Sequence, residues 1–182
     1  MYNCEHNSPF FISNALPLLD KSGEWYHDIR THKLYYMPRK GERMDVAAPA
    51  LETLVKFEGT REKMVDAVTF RNVNFEVTTW NRPSYKGHVP LQAGMFITEG
   101  YKLRPSIDRV NNHKLDNQDW LGRPAAAVEL RYASRAVFDS CSFGHLGGDG
   151  LDFVEGCRDG AVLSSTFEDI AMNGLVCGSF SP

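Results

Sequence analysis

Residues Ala136 to Phe153 read AVFDSCSFGHLGGDGLDF, and residues Gly160 to Cys177 read GAVLSSTFEDIAMNGLVC. At a constant offset of 24 residues, Phe143 meets Phe167, Leu146 meets Ile170, Gly150 meets Gly174 and Leu151 meets Leu175. Ser140 meets Ser164 in the same frame, without a gap. An earlier copy, VTFRNVNF at Val68 to Phe75, carries Phe70, Val73 and Phe75 where the later copy has Phe138, Cys141 and Phe143. A fixed period of this size marks a stacked architecture, in which each repeat buries its apolar face on its neighbours.

The pattern inside each copy says which stack. Val128-Leu130, Ala136-Phe138 and Leu151-Phe153 alternate with period 2, which predicts strands. Clusters such as Gly147-Gly148-Asp149-Gly150 and Asn173-Gly174 punctuate them as turns. Three short strands per repeat predict an all-β chain built as a right-handed parallel β-helix, a solenoid. Leucine-rich repeats would need an L-x-x-L-x-L spacing that is missing here, and helical repeats a longer helical period. Ala136, Phe138, Cys141, Phe143, Leu146, Leu151 and Phe153 are expected to face the core. Gly160, Val162, Ser165, Phe167, Ile170, Leu175 and Cys177 are expected to stack beneath them. Cys141 over Ser165 then reads as a small-residue ladder and Cys141 as a buried thiol.

Working outward, Glu24-Trp25-Tyr26-His27-Asp28 and Lys33-Leu34-Tyr35-Tyr36-Met37 predict an N-terminal β-hairpin within a segment 1–47. Trp25, Tyr26, Tyr35 and Tyr36 read as hairpin core before they read as a sugar platform. Leu54 to Phe57 is a further strand, which opens coils spanning 48–182. A long loop insertion at about 79–126, rich in Trp, Pro, Asn and His, interrupts the repeat. Loops of that length usually carry function. The chain stops just after a strand, so a C-terminal truncation of the stack is expected.

Composition excludes several classes. The chain has 182 residues, 20 basic against 23 acidic side chains, and 42% hydrophobic content, which is globular. A pI near 6.1 without a basic stripe argues against nucleic acid. No apolar run is long enough for a membrane span, and the first residues show no signal peptide. Cys4, Cys141, Cys157 and Cys177 form no C-x-x-C pair, so neither a zinc site nor a disulfide framework is expected. No metal, no cofactor and a monomeric chain are the expectations.

The strings GEWYHDIRTHKLYYMPRKGE (Gly23 to Glu42), APALETLVKFEGT (Ala48 to Thr60) and HVPLQAGM (His88 to Met95), with the GLDF and NGLV rungs, resemble parallel β-helix proteins of polysaccharide-degrading bacteria. Glycoside hydrolase family 141 is the type that they resemble. That resemblance implies a polysaccharide or oligosaccharide substrate and a periplasmic or secreted location. It assigns no catalytic residue.

Glycoside hydrolysis needs two carboxyl groups flanking the scissile bond. With Val128 and Leu130 inward, Glu129 and Arg131 point out; with Leu151 and Phe153 inward, Asp152 points out. The two strands occupy one position in successive coils, about 4.8 Å apart. Glu129 and Asp152 are therefore expected as a stacked acid pair on an open wall, close enough to raise the pKa of one. The bland alternative pairs Glu129 with Arg131 or a basic insertion residue, and Asp152 with Arg158. Asp149 reads first as a turn residue bonded to its own backbone, and otherwise as a third carboxylate at the rim. The insertion ends beside Glu129, so Trp80, Arg82, Tyr85, His88, Gln92, Tyr101, Trp120 and Arg123 are candidates to bind a sugar. His145, one coil from Asp169, is a further candidate whose plain reading is a hydrogen bond that holds a loop.

Two other functions compete. A polysaccharide lyase needs clustered acids for calcium and a base beside a uronate. Val176 stands where a third outward acid would have to be. The paired Asp-Asp and Gly-His-Gly elements of polygalacturonases are absent. A non-catalytic glycan-binding or structural β-helix would need only the aromatic residues of the insertion.

Overall fold

Period-2 alternation produces strands wherever it was legible. The computed structural model describes residues 12–80, 96–97 and 121–178. Two compact units are distinguished, Met1–Val46 and Ala47–Pro182. In the first, a short 3₁₀ turn at Leu16–Leu18 precedes strands β1 (Trp25–Asp28) and β2 (Lys33–Tyr36). These pair antiparallel, Tyr26 opposite Tyr35 with ring centroids 6.2 Å apart. Asp28 tightens the reversal by accepting the Arg30 N–H (3.0 Å) and the Thr31 hydroxyl (2.7 Å). Trp25 departs from the expected hairpin core and is 66% exposed. Alternation puts it on the face away from Tyr26, at the first position of its strand.

The second unit is a stack of parallel strands. The first coil contributes β3 (Val55–Glu58), β4 (Val65–Asp66), β5 (Thr69–Arg71) and β6 (Asn74–Glu76). A small antiparallel pair follows, β7 (Phe96–Ile97) with β8 (Leu121–Gly122). The second coil has β9 (Ala126–Arg131), β10 (Ala133–Ser134), β11 (Val137–Asp139) and β12 (Ser142–Leu146). Then come β13 (Asp149–Glu155), β14 (Ala161–Leu163), β15 (Thr166–Ile170) and β16 (Leu175–Cys177). Three sheets run through the stack in the orders β14-β11-β5, β15-β12-β6 and β16-β13-β9-β3, with a short corner pair β10-β4. Every pairing between coils is parallel, as a solenoid requires.

The 24-residue offset holds in the register: Phe143 pairs with Phe167 and Phe138 with Val162. The earlier copy also falls in register, Phe70 with Phe138 and Phe75 with Phe143. Interior rings stack in columns, Phe75 on Phe143 at 4.8 Å and Phe143 on Phe167 at 4.6 Å. Phe138 and Phe143 are fully buried, and each such burial contributes roughly 1.5–3 kcal/mol. Cys141 is buried, and its N–H donates to the Ser165 hydroxyl at 3.1 Å, one coil on. Cys141, Cys157 and Cys177 are free thiols.

The corners are built from left-handed residues that also repeat. Ala67, Arg135 and Asp159 share one corner, Asn72, Ser140 and Ser164 a second, and Val77, His145 and Asp169 a third, all with φ between 47° and 63°. None is glycine, although this conformation costs an L-residue energy. Backbone hydrogen bonds between coils hold them there, such as Ser140 N–H to the Leu163 carbonyl at 2.9 Å. The Gly147-Gly148 bend is real, but Asp149 and Gly150 already belong to β13. No described helix is long and apolar enough to cross a membrane.

Candidate functional site

Strands β9 and β13 lie side by side, with Glu129 directly opposite Asp152. Val128, Leu130 and Leu151 point into the core cluster, and neither acid belongs to it. Both acids therefore face outward. Lys56 precedes them in the same column and Val176 follows. Above this column lies a cleft of about 250 Å³, lined by Glu52, Trp80, Arg123, Pro124, Ala125, Glu129, Arg131, Asp152 and Val154.

Asp152 is not the open wall residue that alternation alone implies, for it is only 1% exposed. The chain entering β9 at Arg123 covers it, and the Arg123 guanidinium forks onto the carboxylate. Nη2 donates to Oδ1 at 2.6 Å while Nε donates to Oδ2. Arg158, the partner expected on the bland reading, sits instead at the corner bridged to Ser134. A desolvated carboxylate next to Glu129 needs a cation in contact, and Arg123 supplies a bidentate one. Arg123 is thus committed to an acid here. Asp152 pushes its pKa further up against the opposing effect of burial, and Asp149 and Glu129 add to the rise.

Glu129 is more open, its side chain 18% exposed. It accepts from the Thr53 hydroxyl at 3.2 Å and lies 3.7 Å from the Lys56 ammonium. Arg131 does not bind it. The register sets Arg131 against Glu155, which it reaches at 2.7 Å. That register contains an irregularity between Phe153 and Glu155, where Val154 is the extra residue. Val154 is buried, lies outside the core cluster and lines the cleft. A bulge re-aims side chains in this way.

Asp149 opens β13 opposite Ala126, so the expected turn residue bonded to its own backbone is corrected. Its Oδ1 accepts from the Asn173 N–H (2.8 Å) and from Asn173 Nδ2 (2.9 Å), one coil away. Oδ2 is buried with no hydrogen-bond partner among the described residues. Asp149 is 1% exposed and is not among the residues that line the cleft. Burial raises its pKa and the charge of Asp152 adds to this, while the Asn173 hydrogen bonds and the charge of Arg123 oppose it.

His145 meets Asp169 as expected, Nδ1 to Oδ2 at 2.6 Å, because both occupy the same left-handed corner one coil apart. This pair is exposed and His145 does not line the cleft. Of the insertion residues expected to bind a sugar, Trp80 and Arg123 line it. Arg82, Tyr85, His88, Gln92, Tyr101 and Trp120 lie outside the described residues. Glu52, Thr53, Lys56 and Val154 were not legible as site residues. The first coil is offset from the second by 73 residues at Val55–Val128 but by 68 at Phe70–Phe138, so one repeat length could not align them. Among the described residues, no group of three or more His, Cys, Asp or Glu could hold a metal.

Residues 1–39 match the family model described as the GH141 insertion domain. The chain also matches a solved structure named "Glycoside hydrolase", with 51% sequence identity and a TM-score of 0.79. That match covers 93% of this chain and 29% of the other, so the chain spans under a third of the length of the protein it resembles. A comparison with curated proteins finds no match. The resemblance to glycoside hydrolase family 141 read from the Gly23 to Glu42 string therefore holds.

Proposed function

We propose that this chain is a stretch of right-handed parallel β-helix from a glycoside hydrolase acting on a polysaccharide or oligosaccharide, exported to the periplasm or beyond. The cleft over β9 and β13 is then where a sugar is bound. The observation that carries this reading is the pair Glu129 and Asp152 on adjacent rungs beneath one cleft, with Trp80 in its wall. Rung spacing of about 4.8 Å approaches the separation of about 5–5.5 Å in retaining glycosidases. In this reading Glu129, the more open group, protonates the leaving oxygen. Asp152 faces the anomeric carbon once Arg123 turns aside. The indole of Trp80 offers an apolar face to the sugar ring.

The burial of Asp152 favours a second reading, a glycan-binding wall without turnover, in which the Arg123–Asp152 fork is purely structural. Release of reducing ends from a panel of neutral and acidic polysaccharides separates the two. On the hydrolase reading, Glu129→Gln lowers turnover by a factor of about 10²–10⁴ and leaves binding intact. On the binding reading no substrate is turned over, and Trp80→Ala weakens retention on the glycan. Products with unsaturated, ultraviolet-absorbing ends would identify a lyase. Full activity in both Glu129→Gln and Asp152→Asn would remove this acid pair from the mechanism.

A further inference from the structure

Among the described residues, Asp149 is a buried titratable group near the cleft that the proposed chemistry leaves unused. Its position is set by the backbone. A Cβ on the neighbouring Gly150 would meet Ile170 Cδ1 and Phe167 Cδ1 at 3.2 Å, so Gly150 faces the core. Asp149, next to it on the strand, therefore faces the opposite way, although it is only 1% exposed. The Asp149 N–H donates to the Ala125 carbonyl at 2.8 Å, which ties it to the segment that carries Arg123. One carboxyl oxygen is saturated by Asn173 and the other is buried without a partner among the described residues.

A buried carboxylate with an unmatched oxygen favours its neutral form. The charged groups acting on it are Asp152 from its own strand and Arg123 from the segment before β9; the next coil offers the uncharged Asn173. Glu129 acts on the same Arg123. With Asp149 neutral, Arg123 can give both donors to Asp152. When Asp149 ionises, a second carboxylate competes for the same guanidinium.

We propose that Asp149 is a positioning residue, buried near the cleft as the neutral acid, and that its ionisation draws Arg123 off Asp152 and opens that carboxylate to the cleft. The proton leaves Asp149 for solvent, and the new negative charge appears beside Arg123. The proposal deepens the sugar-cleft reading and rests on it for its functional meaning. Its test does not use turnover.

The test is a pair of NMR titrations on the whole chain, following the Asp149 side-chain carboxyl carbon and the Arg123 Nε–H signal. The Asp149 carbon should titrate above the ordinary aspartate value of about 3.9. The Arg123 signal should then shift with the same midpoint. In Asp149→Asn, which keeps an oxygen for Asn173, that shift should vanish while the hydrogen-bonded signal persists. An Asp149 midpoint at or below about 3.9 would overturn the proposal, and so would an Arg123 signal that ignores the Asp149 midpoint. If Asp149→Asn does not fold, the two wild-type midpoints decide. Coincident midpoints together with full activity in both Glu129→Gln and Asp152→Asn would remove the acid pair from the mechanism and leave this coupling standing.

Discussion

Arg123 straddles Asp152, with Nη2 2.6 Å from Oδ1 and Nε bonded to Oδ2, and this fork covers a carboxylate that lines the cleft. Breaking a buried pair from one side leaves an uncompensated charge. Arg123→Ala should therefore destabilise the fold by about 3–5 kcal/mol. The double variant Arg123→Met with Asp152→Leu should recover most of that loss, because no charge remains buried. Urea unfolding of both variants measures it, and equal destabilisation would show that the fork is not the source.

The interior column gives a second prediction. Phe143 is stacked between Phe75 and Phe167 and fully buried. Phe143→Ala should cost about 3–5 kcal/mol. Phe167→Ala should cost less, because Phe167 is only partly buried. Chemical denaturation of the two variants should rank them in that order.

His145 provides a pH prediction. The hydrogen bond to Asp169 raises its pKa, with the charge of Asp169 and smaller contributions from Glu76 and Glu168 adding to the rise. A histidine raised on folding contributes stability that is present below its unfolded value of about 6.5. That contribution is lost as pH rises through the folded value. NMR titration should place the His145 midpoint above the ordinary histidine value and return it there in Asp169→Asn. A midpoint unmoved by that substitution would mean the pair has no electrostatic consequence.

Val77 is the β-branched member of the third left-handed corner, at φ +63°. The left-handed conformation costs an L-residue about 1–2 kcal/mol, and Asn tolerates it better. Val77→Asn should therefore leave stability unchanged or raise it by up to about 1 kcal/mol. The control Val73→Asn should destabilise, because Val73 packs on the core. Thermal unfolding of the pair checks the sign of each.

How much was legible follows from the physics of a stack. Apolar alternation and a constant repeat determine which residues share an interior column, so Phe138, Phe143 and Phe167 could be placed from their spacing alone. The meeting of His145 with Asp169 follows from the 24-residue register. Glu129 and Asp152 lie 23 residues apart, so their facing follows from matching the apolar alternation of their two strands, Leu151 to Val128 and Phe153 to Leu130. Parity along a strand says which side a residue takes, but it does not say what lies over that side.

That cover is what tertiary structure decided. Arg123 closes over Asp152, and Asn173 holds Asp149 from the next coil. Lys56 and Thr53 reach Glu129 through a first coil whose offset breaks the repeat, and the bulge at Val154 re-aims part of the cleft floor. Side-chain burial and charge pairing depend on these three-dimensional neighbours, which a one-dimensional period does not encode.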